Sequence, residues 1–523
     1  MDNKDQPIHT FYATRSAITQ STWAGALVFY VLLIFFKGYL YGDSDHIDLL
    51  SYVQYLIDPR LYPSDFFIQQ IAQHFPNERS FLAILLASTG SYLAWVCFFA
   101  HAFFGVLLIV ALFRLAHRYI AEKALVWFAL FFLLFPLSFF TLGGNDLIYN
   151  LFVNSNPAKA CGAWALLFFL QKRYRNYTVL AILSTFFHPM VGLQVFVLTV
   201  MAYTIDTIKN GVPWQRSMLL GICAYICTAG LFIASIFYNY QSQPISGALL
   251  TEIIGFRLPH HFIPSQFGLL NYLLLVPLFM GGLLYFFRRD SMVFYLFLSS
   301  LVAAVAYIIG VEWLHWSVLF TTQWFKTTIW IKAFSVFALV AMLGQYIPRI
   351  LFYWYEKGRV PVAIILSLCL IVIMLRYPEG LVGKRVYHFP FSKYTLTDEV
   401  DIMQQIRQKL PNDVLLVQPG SISSLKFFGA RSSYVDVKAV VHQQQGFKEW
   451  YKRVGQVYGL NANNRDNSKM LFYQADDQFY SRTTEHFSAL KTEGVTHILT
   501  LQSHNLNFPV ILENNTYKVY QMQ

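Results

Sequence analysis

The chain alternates between long apolar segments and short polar loops. The apolar segments long enough to cross a bilayer lie at about 21–41, 92–113, 124–142, 190–208, 218–238, 268–287, 291–311, 327–347 and 360–376. Two further segments, 159–170 and 177–187, are each about half a normal span in length. A membrane helix needs about 20 apolar residues. The pattern therefore predicts a polytopic α-helical membrane protein with about eleven transmembrane helices.

The two half-length segments predict a covered region inside the membrane domain. Short or broken helices survive at membrane depth only where protein or a wet cavity covers them. His188 and Pro189 break the chain directly after the second segment. A histidine at this depth faces protein or water, and two roles stay open for His188: binding a substrate or bonding to a freed backbone carbonyl.

The pattern changes to ordinary polarity at about residue 377. The expected helices lie at 397–409, 446–458 and 480–492, and the expected strands lie at 414–417, 433–437, 497–501 and 517–521. Strands that alternate with helices predict a small α/β domain with a partly parallel sheet. We therefore divide the chain into a transmembrane domain, 1–376, and a C-terminal domain, 377–523.

Composition and charge agree with a membrane protein and argue against a nucleic-acid partner. The 523 residues are 56% hydrophobic and 13% charged, and the formal net charge is +11. A soluble protein carries about twice that charged fraction. The basic residues fall in alternate loops, as the positive-inside rule requires, which predicts a cytoplasmic N-terminus. Because they are scattered and form no patch, we expect no nucleic-acid partner.

An acidic loop, residues 42–80, directly follows the first predicted span. The predicted topology places this loop and the C-terminal domain on the extracytoplasmic face. Asp43 and Asp45 stand at the end of the span, and Asp48 lies one helical turn beyond Asp45. A carboxylate in this place acts as a general base, holds a divalent cation, or is simply solvated.

Arg257, His260 and His261 lie between two spans on the same predicted face. An arginine clamps a phosphate through two parallel hydrogen bonds, whereas contact with lipid headgroups is the alternative reading. Neighbouring histidines are a poor chelating pair, so we expect an extended loop in which one of them faces a pocket.

Further cations border the span that begins at about residue 327. Lys326 precedes it, and Lys332 lies about one turn inside, where it must snorkel, pair or bind an anion. In the C-terminal domain, a set of polar and aromatic residues forms either a surface that faces the membrane cavity or an ordinary solvated face. This set is Arg431, Lys438, Glu449, Trp450, Tyr451 and Arg453.

This layout, a first span followed by an acidic loop, further spans and a closing α/β domain, resembles the GT-C class of integral-membrane glycosyltransferases. More closely, it resembles a group of uncharacterised bacterial membrane proteins within that class. The resemblance rests on short motifs: Gly42-Asp43-Ser44-Asp45-His46, Asp58-Pro59, Asp65-Phe66-Phe67, Phe187-His188-Pro189 with Gly192, Arg257 with His260-His261, Arg431 with Tyr434-Val435-Asp436-Val437-Lys438, and Glu449-Trp450-Tyr451-Lys452-Arg453.

The resemblance implies the roles of several residues. In that class an acidic residue at the end of the first span is the base toward the acceptor, a role that falls on Asp45 or Asp43. The second acid that usually stands next to it is missing here. A basic residue is expected to hold the lipid phosphate, and Arg257, Lys326 and Lys332 are the candidates.

The function implied is transfer of a sugar from a polyprenyl-phosphate-linked donor at the outer face of a bacterial inner membrane. The acceptor, a glycan, lipid or protein, stays open, as does a divalent cation held by Asp43 or Asp45. Two other classes also stay open: a transporter or flippase of a lipid-linked glycan, and a non-catalytic membrane scaffold with the same fold.

Overall fold

The structure is a computed structural model that describes residues 20–211, 213–355, 386–391, 397–467 and 469–522. Its N-terminal region is helical. The helices are α1 (Gln20–Lys37), α2 (Asp45–Ile57), α3 (Phe66–Gln73), α4 (Ser80–Ala87), α5 (Leu93–His117), α6 (Lys123–Leu134), α7 (Ser155–Leu170), α8 (Tyr174–Phe187), α9 (Pro189–Asn210), α10 (Arg216–Tyr225), α11 (Leu231–Gln241), α12 (Gly247–Arg257), α13 (Pro259–Phe262), α14 (Leu269–Arg289), α15 (Ser291–Ile308), α16 (Ser317–Thr322) and α17 (Thr328–Tyr355).

Seven helical segments in the described part of the chain are long and apolar enough to cross a membrane. They are Gln20–Lys37, Gly90–His117, Pro189–Asn210, Arg216–Gln241, Leu269–Arg289, Ser291–Trp313 and Ser317–Gln345. Lys123–Ser138 is a shorter apolar segment. These segments suggest a multi-pass membrane protein. The expected span at 360–376 and the boundary at 376/377 lie outside the described residues, so the total of eleven, the domain division and the orientation stay predictions.

The two half-length helices form where the sequence predicts them, as α7 and α8. They pack against each other, and α7 also contacts α5 and α9. Every residue of α7 except Phe168 is buried. Because neighbouring helices cover α7 in this way, its short length leaves little of its backbone at the lipid boundary.

The C-terminal region contains a five-stranded mixed sheet. Its strands are β1 (Leu415–Val417), β2 (Ser432–Ser433), β3 (His497–Leu501), β4 (Val510–Glu513) and β5 (Tyr517–Gln521), in the order β2-β1-β3-β5-β4. β1 is parallel to β2 and β3, and β5 is antiparallel to β3 and β4. The helices of this region are α18 (Asp398–Lys409), α19 (Gln444–Tyr458), α20 (Leu471–Tyr480) and α21 (Thr484–Ala489). The partly parallel sheet is confirmed.

The structure differs from the sequence-based elements at two places in this region. The strand expected at 433–437 ends at Ser433, because the Asp436 carboxylate accepts hydrogen bonds from the backbone N–H groups of Lys438 and Ala439 and closes a turn. The helix expected at 480–492 is replaced by α20, α21 and a 3₁₀ turn, since the chain bends between Tyr480 and Thr484. Strand β4 was not predicted.

A buried ion cluster joins the C-terminal region to the segment that follows α1. The Lys426 ammonium lies 3.1 Å from an Asp436 carboxylate oxygen and 4.0 Å from one of Asp65, and all three side chains are at most 1% exposed. The Asp65 carboxylate also caps α3 by accepting from Ile68 N–H, and it accepts from Ser433 N–H in β2. One carboxylate therefore fixes α3 and the edge of the sheet together.

We expect Lys426→Met to lower the stability of the whole protein markedly. The change leaves two buried carboxylates facing each other, and removal of one partner from a buried pair costs roughly 3–5 kcal/mol. Thermal unfolding in detergent measures the effect. The matched control is Lys469→Met, which removes the exposed ion pair with Asp477 and costs about 0–1 kcal/mol. Equal Tm values for the two variants would contradict this role of Lys426.

Candidate functional site

The turn between α1 and α2 sets the place of the candidate acids. Gly42 and Ser44 both have positive φ, 70° and 53°. A Cβ on Gly42 would lie 2.5 Å from the Phe427 ring, so only glycine fits this backbone against the C-terminal region. The helix α2 then begins at Asp45, with Asp48 one turn further along. Asp43 therefore lies in the turn, whereas Asp45 is the first residue of the helix.

A cavity of about 550 Å³ lies beside the start of α2, and most of the predicted site residues line it. Its wall combines residues of the helical region with residues of the C-terminal region. The polar and charged side chains that line it include Asp45, Asp48, Glu78, Arg79, Asn145, Tyr149, Asn154, Ser155, His188, Arg257, His260, His261, Lys326, Lys438 and His442. Apolar side chains from α9 and α11, such as Met190 and Phe237, line another part.

Of the two candidate bases, Asp45 lines this cavity and Asp43 does not. The Asp45 carboxylate lies 2.7 Å from the Lys438 ammonium, and 63% of its side chain is exposed, toward the cavity. Burial by itself would raise the pKa of Asp45, but the charge and hydrogen bond of Lys438 outweigh it and the pKa lies below its ordinary value. Asp45 is therefore an ionised carboxylate at neutral pH.

Arg257 lines the cavity and holds the loop that carries Lys438. Its Nε donates to Val437 O at 2.8 Å, and its Nη2 donates to Lys438 O at 3.1 Å. Burial lowers the pKa of Arg257 to about 10, so the guanidinium keeps its charge at neutral pH. Two of its nitrogens are thus used on carbonyls, and its charge has no carboxylate within ion-pair distance among the described residues.

Lys326 is the second cation of the cavity wall that has no carboxylate within ion-pair distance among the described residues, although Asp45 attracts it at longer range. Its backbone N–H donates to Gln323 O and its carbonyl accepts from the Asn145 amide, whereas its ammonium has no hydrogen-bond partner in the described part of the chain. Lys332, by contrast, does not line the cavity. Its ammonium donates to Leu137 O at 2.9 Å and to Phe140 O at 3.1 Å. The structure therefore places Lys326, but not Lys332, at the cavity, a difference that the sequence did not show.

The two adjacent histidines do not occupy the extended loop that we expected. They lie in the one-turn helix α13, and both line the cavity. The His261 ring lies 3.1 Å from Gly143 O, and a Cβ on Gly144, whose φ is 62°, would lie 2.5 Å from that ring. Burial lowers the pKa of both His260 and His261, so both rings are neutral at pH 7.

A cluster of acidic and basic side chains that the sequence pattern did not predict also lines the cavity. Arg79 forms an ion pair with Glu78, and its guanidinium lies 4.0 Å from the Asp48 carboxylate. The Glu78 carboxylate also lies 2.8 Å from the His442 ring of the C-terminal region. Burial raises the pKa of Asp48 to about 6. No local sequence pattern indicates this cluster beyond the density of charge in the loop.

The expected C-terminal surface reaches the cavity through one of its members, Lys438. The Arg431 guanidinium instead donates to the carbonyls of Arg407 and Leu410. Trp450 is fully buried, with its indole N–H donating to Asp436 O. No group of three or more histidine, cysteine or carboxylate side chains with metal-binding geometry occurs within the described ranges.

Residues 397–457 match the model of a family described as a domain of unknown function, DUF6798. The matched part includes Lys426, Asp436 and Lys438, and it includes none of the candidate membrane spans. No curated protein matches the chain. The match therefore covers Lys426, Asp436 and Lys438 but not Asp65, and it assigns no activity to these residues.

The raised pKa of Asp48 predicts a pH-dependent change in stability. The folded protein keeps this proton up to about pH 6, whereas an unfolded chain releases it near its ordinary value of 3.8. Stability is therefore lost as pH rises through that window, by roughly 3 kcal/mol for a shift of about two units. In Asp48→Asn, Tm relative to wild type is expected to increase from pH 4 to pH 7.

Thermal unfolding in detergent at several pH values measures this difference. Asp477→Asn is the control, because the Asp477 side chain is 63% exposed and its replacement is expected to change Tm little. A difference between Asp48→Asn and wild type that stays constant from pH 4 to pH 7 would show that the folded protein does not retain the Asp48 proton.

Proposed function

We propose that this protein is a membrane glycosyltransferase that moves a sugar from a polyprenyl-phosphate-linked donor to an acceptor hydroxyl. The observation that carries the proposal is one cavity that holds an ionised carboxylate, Asp45, together with two cations, Lys326 and Arg257, that lack carboxylate partners among the described residues. The resemblance to GT-C enzymes supplies the class of reaction, and it rests on the motif around Asp45.

The charge of the cavity supports an anionic ligand. Lys438 is paired with Asp45, and Arg79 is paired with Glu78. Lys326 and Arg257 then remain as cations of the cavity wall with no carboxylate within ion-pair distance among the described residues. Because an isolated charge is costly to remove from water, two such cations favour an anion such as a phosphate between them.

The apolar part of the wall supports a lipid carrier. Met190 and Val191 belong to α9, and Ile236 and Phe237 belong to α11. Both helices are parts of candidate membrane spans. A ligand with a phosphate and a long hydrocarbon chain would therefore have partners of both kinds in one cavity, and its chain would leave along α9 and α11.

In the proposed reaction Asp45 accepts the proton of the acceptor hydroxyl as its oxygen attacks the anomeric carbon of the sugar. The bond between the acceptor oxygen and that carbon forms, and the bond between the carbon and the phosphate oxygen breaks. Polyprenyl phosphate leaves with the electron pair. Lys326 and Arg257 stabilise the negative charge that develops on this leaving group. Lys438 keeps Asp45 ionised and orients it.

The proposed orientation follows the basic residues of the loops. It places the cavity and the C-terminal domain on the extracytoplasmic side of a bacterial inner membrane, where polyprenyl-phosphate sugars serve as donors. A divalent cation is not needed for this mechanism, since Lys326 and Arg257 provide the positive charge.

We expect Asp45→Asn to reduce turnover by roughly 10²- to 10⁴-fold, the contribution typical of a general base. The assay is release of undecaprenyl phosphate from a panel of undecaprenyl-phosphate sugars by purified protein in nanodiscs. Asp43→Asn is the matched control, because Asp43 does not line the cavity. Loss of activity in Asp43→Asn alone, with both variants folded, would exclude Asp45 as the base. Binding without turnover in wild type would favour the transporter or the scaffold.

A second comparison uses the two lysines. Lys326→Met is expected to weaken the binding of undecaprenyl phosphate by about 10- to 100-fold, the value of one charge-assisted hydrogen bond. Lys332→Met is expected to leave this affinity unchanged and to lower Tm, since the carbonyls of Leu137 and Phe140 lose their donor. Equal affinities for Lys326→Met and wild type would remove Lys326 from the phosphate site.

A further inference from the structure

Three buried polar atoms in the cavity wall have no hydrogen-bond partner on any other described residue. They are Asp48 Oδ1, Ser155 Oγ and His188 Nδ1. Asp48 and Ser155 are each 8% exposed. Buried polar groups almost always have a hydrogen-bond partner in the protein or in ordered water, so these three atoms are available to a polar ligand of the cavity. We call these three residues the polar wall of the cavity.

The members of the polar wall are held together by one chain of contacts. The Asn154 amide donates to Glu78 O at 3.3 Å and to Phe187 O at 3.1 Å. Ser155 directly follows Asn154, and His188 directly follows Phe187. This amide therefore brings Ser155 and His188 to the same side of the cavity.

Asp48 joins this group through Arg79. The Arg79 guanidinium contacts the Asp48 carboxylate at 4.0 Å and forms an ion pair with Glu78, the residue whose carbonyl accepts from Asn154. Because the ion pairs engage Arg79, the polar wall itself adds no cation without a carboxylate partner in the described part of the chain. It adjoins Lys326, since burial and the charge of that lysine together lower the pKa of His188.

The atoms of the polar wall match hydroxyl groups rather than an anion. A carboxyl oxygen, a serine hydroxyl and an imidazole nitrogen include both acceptors and donors. A sugar hydroxyl both donates and accepts, and a ring carries several hydroxyls. A phosphate only accepts at neutral pH, and it would be repelled by an ionised Asp48 and by Glu78.

We infer that the polar wall binds the hydroxyl groups of the sugar carried by the lipid-linked donor. The phosphate of the same donor then lies toward Lys326 and Arg257. This inference rests on the proposed function and adds to it the part of the cavity that distinguishes a glycosylated carrier from the bare carrier. Ser155 and Asp48 are then specificity-determining residues, because they contact the sugar and not the phosphate.

The test compares two classes of ligand on the full-length protein in nanodiscs. The probes are undecaprenyl phosphate and the same lipid phosphate carrying glucose, galactose, mannose or arabinose. In Ser155→Ala and Asp48→Asn, the affinity for the glycosylated lipid that wild type binds best is expected to fall by about three- to tenfold, the value of one hydrogen bond. Their affinity for undecaprenyl phosphate is expected to match that of wild type.

Ser299→Ala is the matched control. Its hydroxyl is also buried and has no partner among the described residues, but Ser299 lies on α15 and does not line the cavity. This variant is expected to bind both probes as wild type does.

The outcomes distinguish the sugar-binding role of the polar wall from the proposed glycosyltransferase function. Equal affinity of the variants and wild type for the glycosylated lipid, or an equal loss for both probes, would overturn the sugar-binding role and leave the proposed function in place. Failure of wild type to bind either probe would overturn the proposed function itself. A loss confined to the glycosylated lipid in both variants supports the inference.

Discussion

The buried ion cluster of Asp65, Lys426 and Asp436 is the contact on which the candidate site depends. Two carboxylates and one ammonium are removed from water, and each is acceptable only because the others are present. Asp65 belongs to the segment after the first helix, whereas the other two belong to the C-terminal region. The cluster therefore fixes the relative positions of these two parts of the chain.

The ion cluster is connected to the candidate base, Asp45, through the backbone of the turn that carries Lys438. The Asp436 carboxylate shapes the turn that carries Lys438, and Arg257 holds the carbonyls of Val437 and Lys438. Lys438 then pairs with Asp45. The charge state of the carboxylate at the start of α2 is thus set by a residue almost 400 positions further along the chain. The C-terminal region therefore supplies part of the cavity wall.

The cavity wall carries two kinds of polar group. Lys326 and Arg257 have no carboxylate within ion-pair distance among the described residues, although Asp45 attracts both at longer range. The other kind consists of buried polar atoms on Asp48 and Ser155 that lack protein partners in the described part of the chain, beside the ion pair of Arg79 with Glu78. A ligand that joins an anionic group to a polyhydroxylated group has partners of both kinds in one cavity.

Local pattern was sufficient to predict the helical segments, the short pair α7 and α8, and the partly parallel sheet, because hydrophobic periodicity and length determine these features. It also placed Asp45, Arg257 and His260 in one region. It did not distinguish Lys326 from Lys332, since both are cations near one helix and only their three-dimensional neighbours differ. It missed the contact of Glu78 with His442 because that contact joins residues more than 360 positions apart. The end of the strand at Ser433 likewise depends on a side-chain turn that propensity does not show.

The most direct test of the central claim is an electron cryo-microscopy structure of the protein in nanodiscs with a bound undecaprenyl-phosphate sugar. The account predicts the phosphate within hydrogen-bond distance of Lys326, the sugar against Asp48 and Ser155, and the anomeric carbon facing Asp45. A lipid bound with its headgroup outside this cavity, or with the phosphate against Asp48 and the sugar away from Asp45, would contradict it.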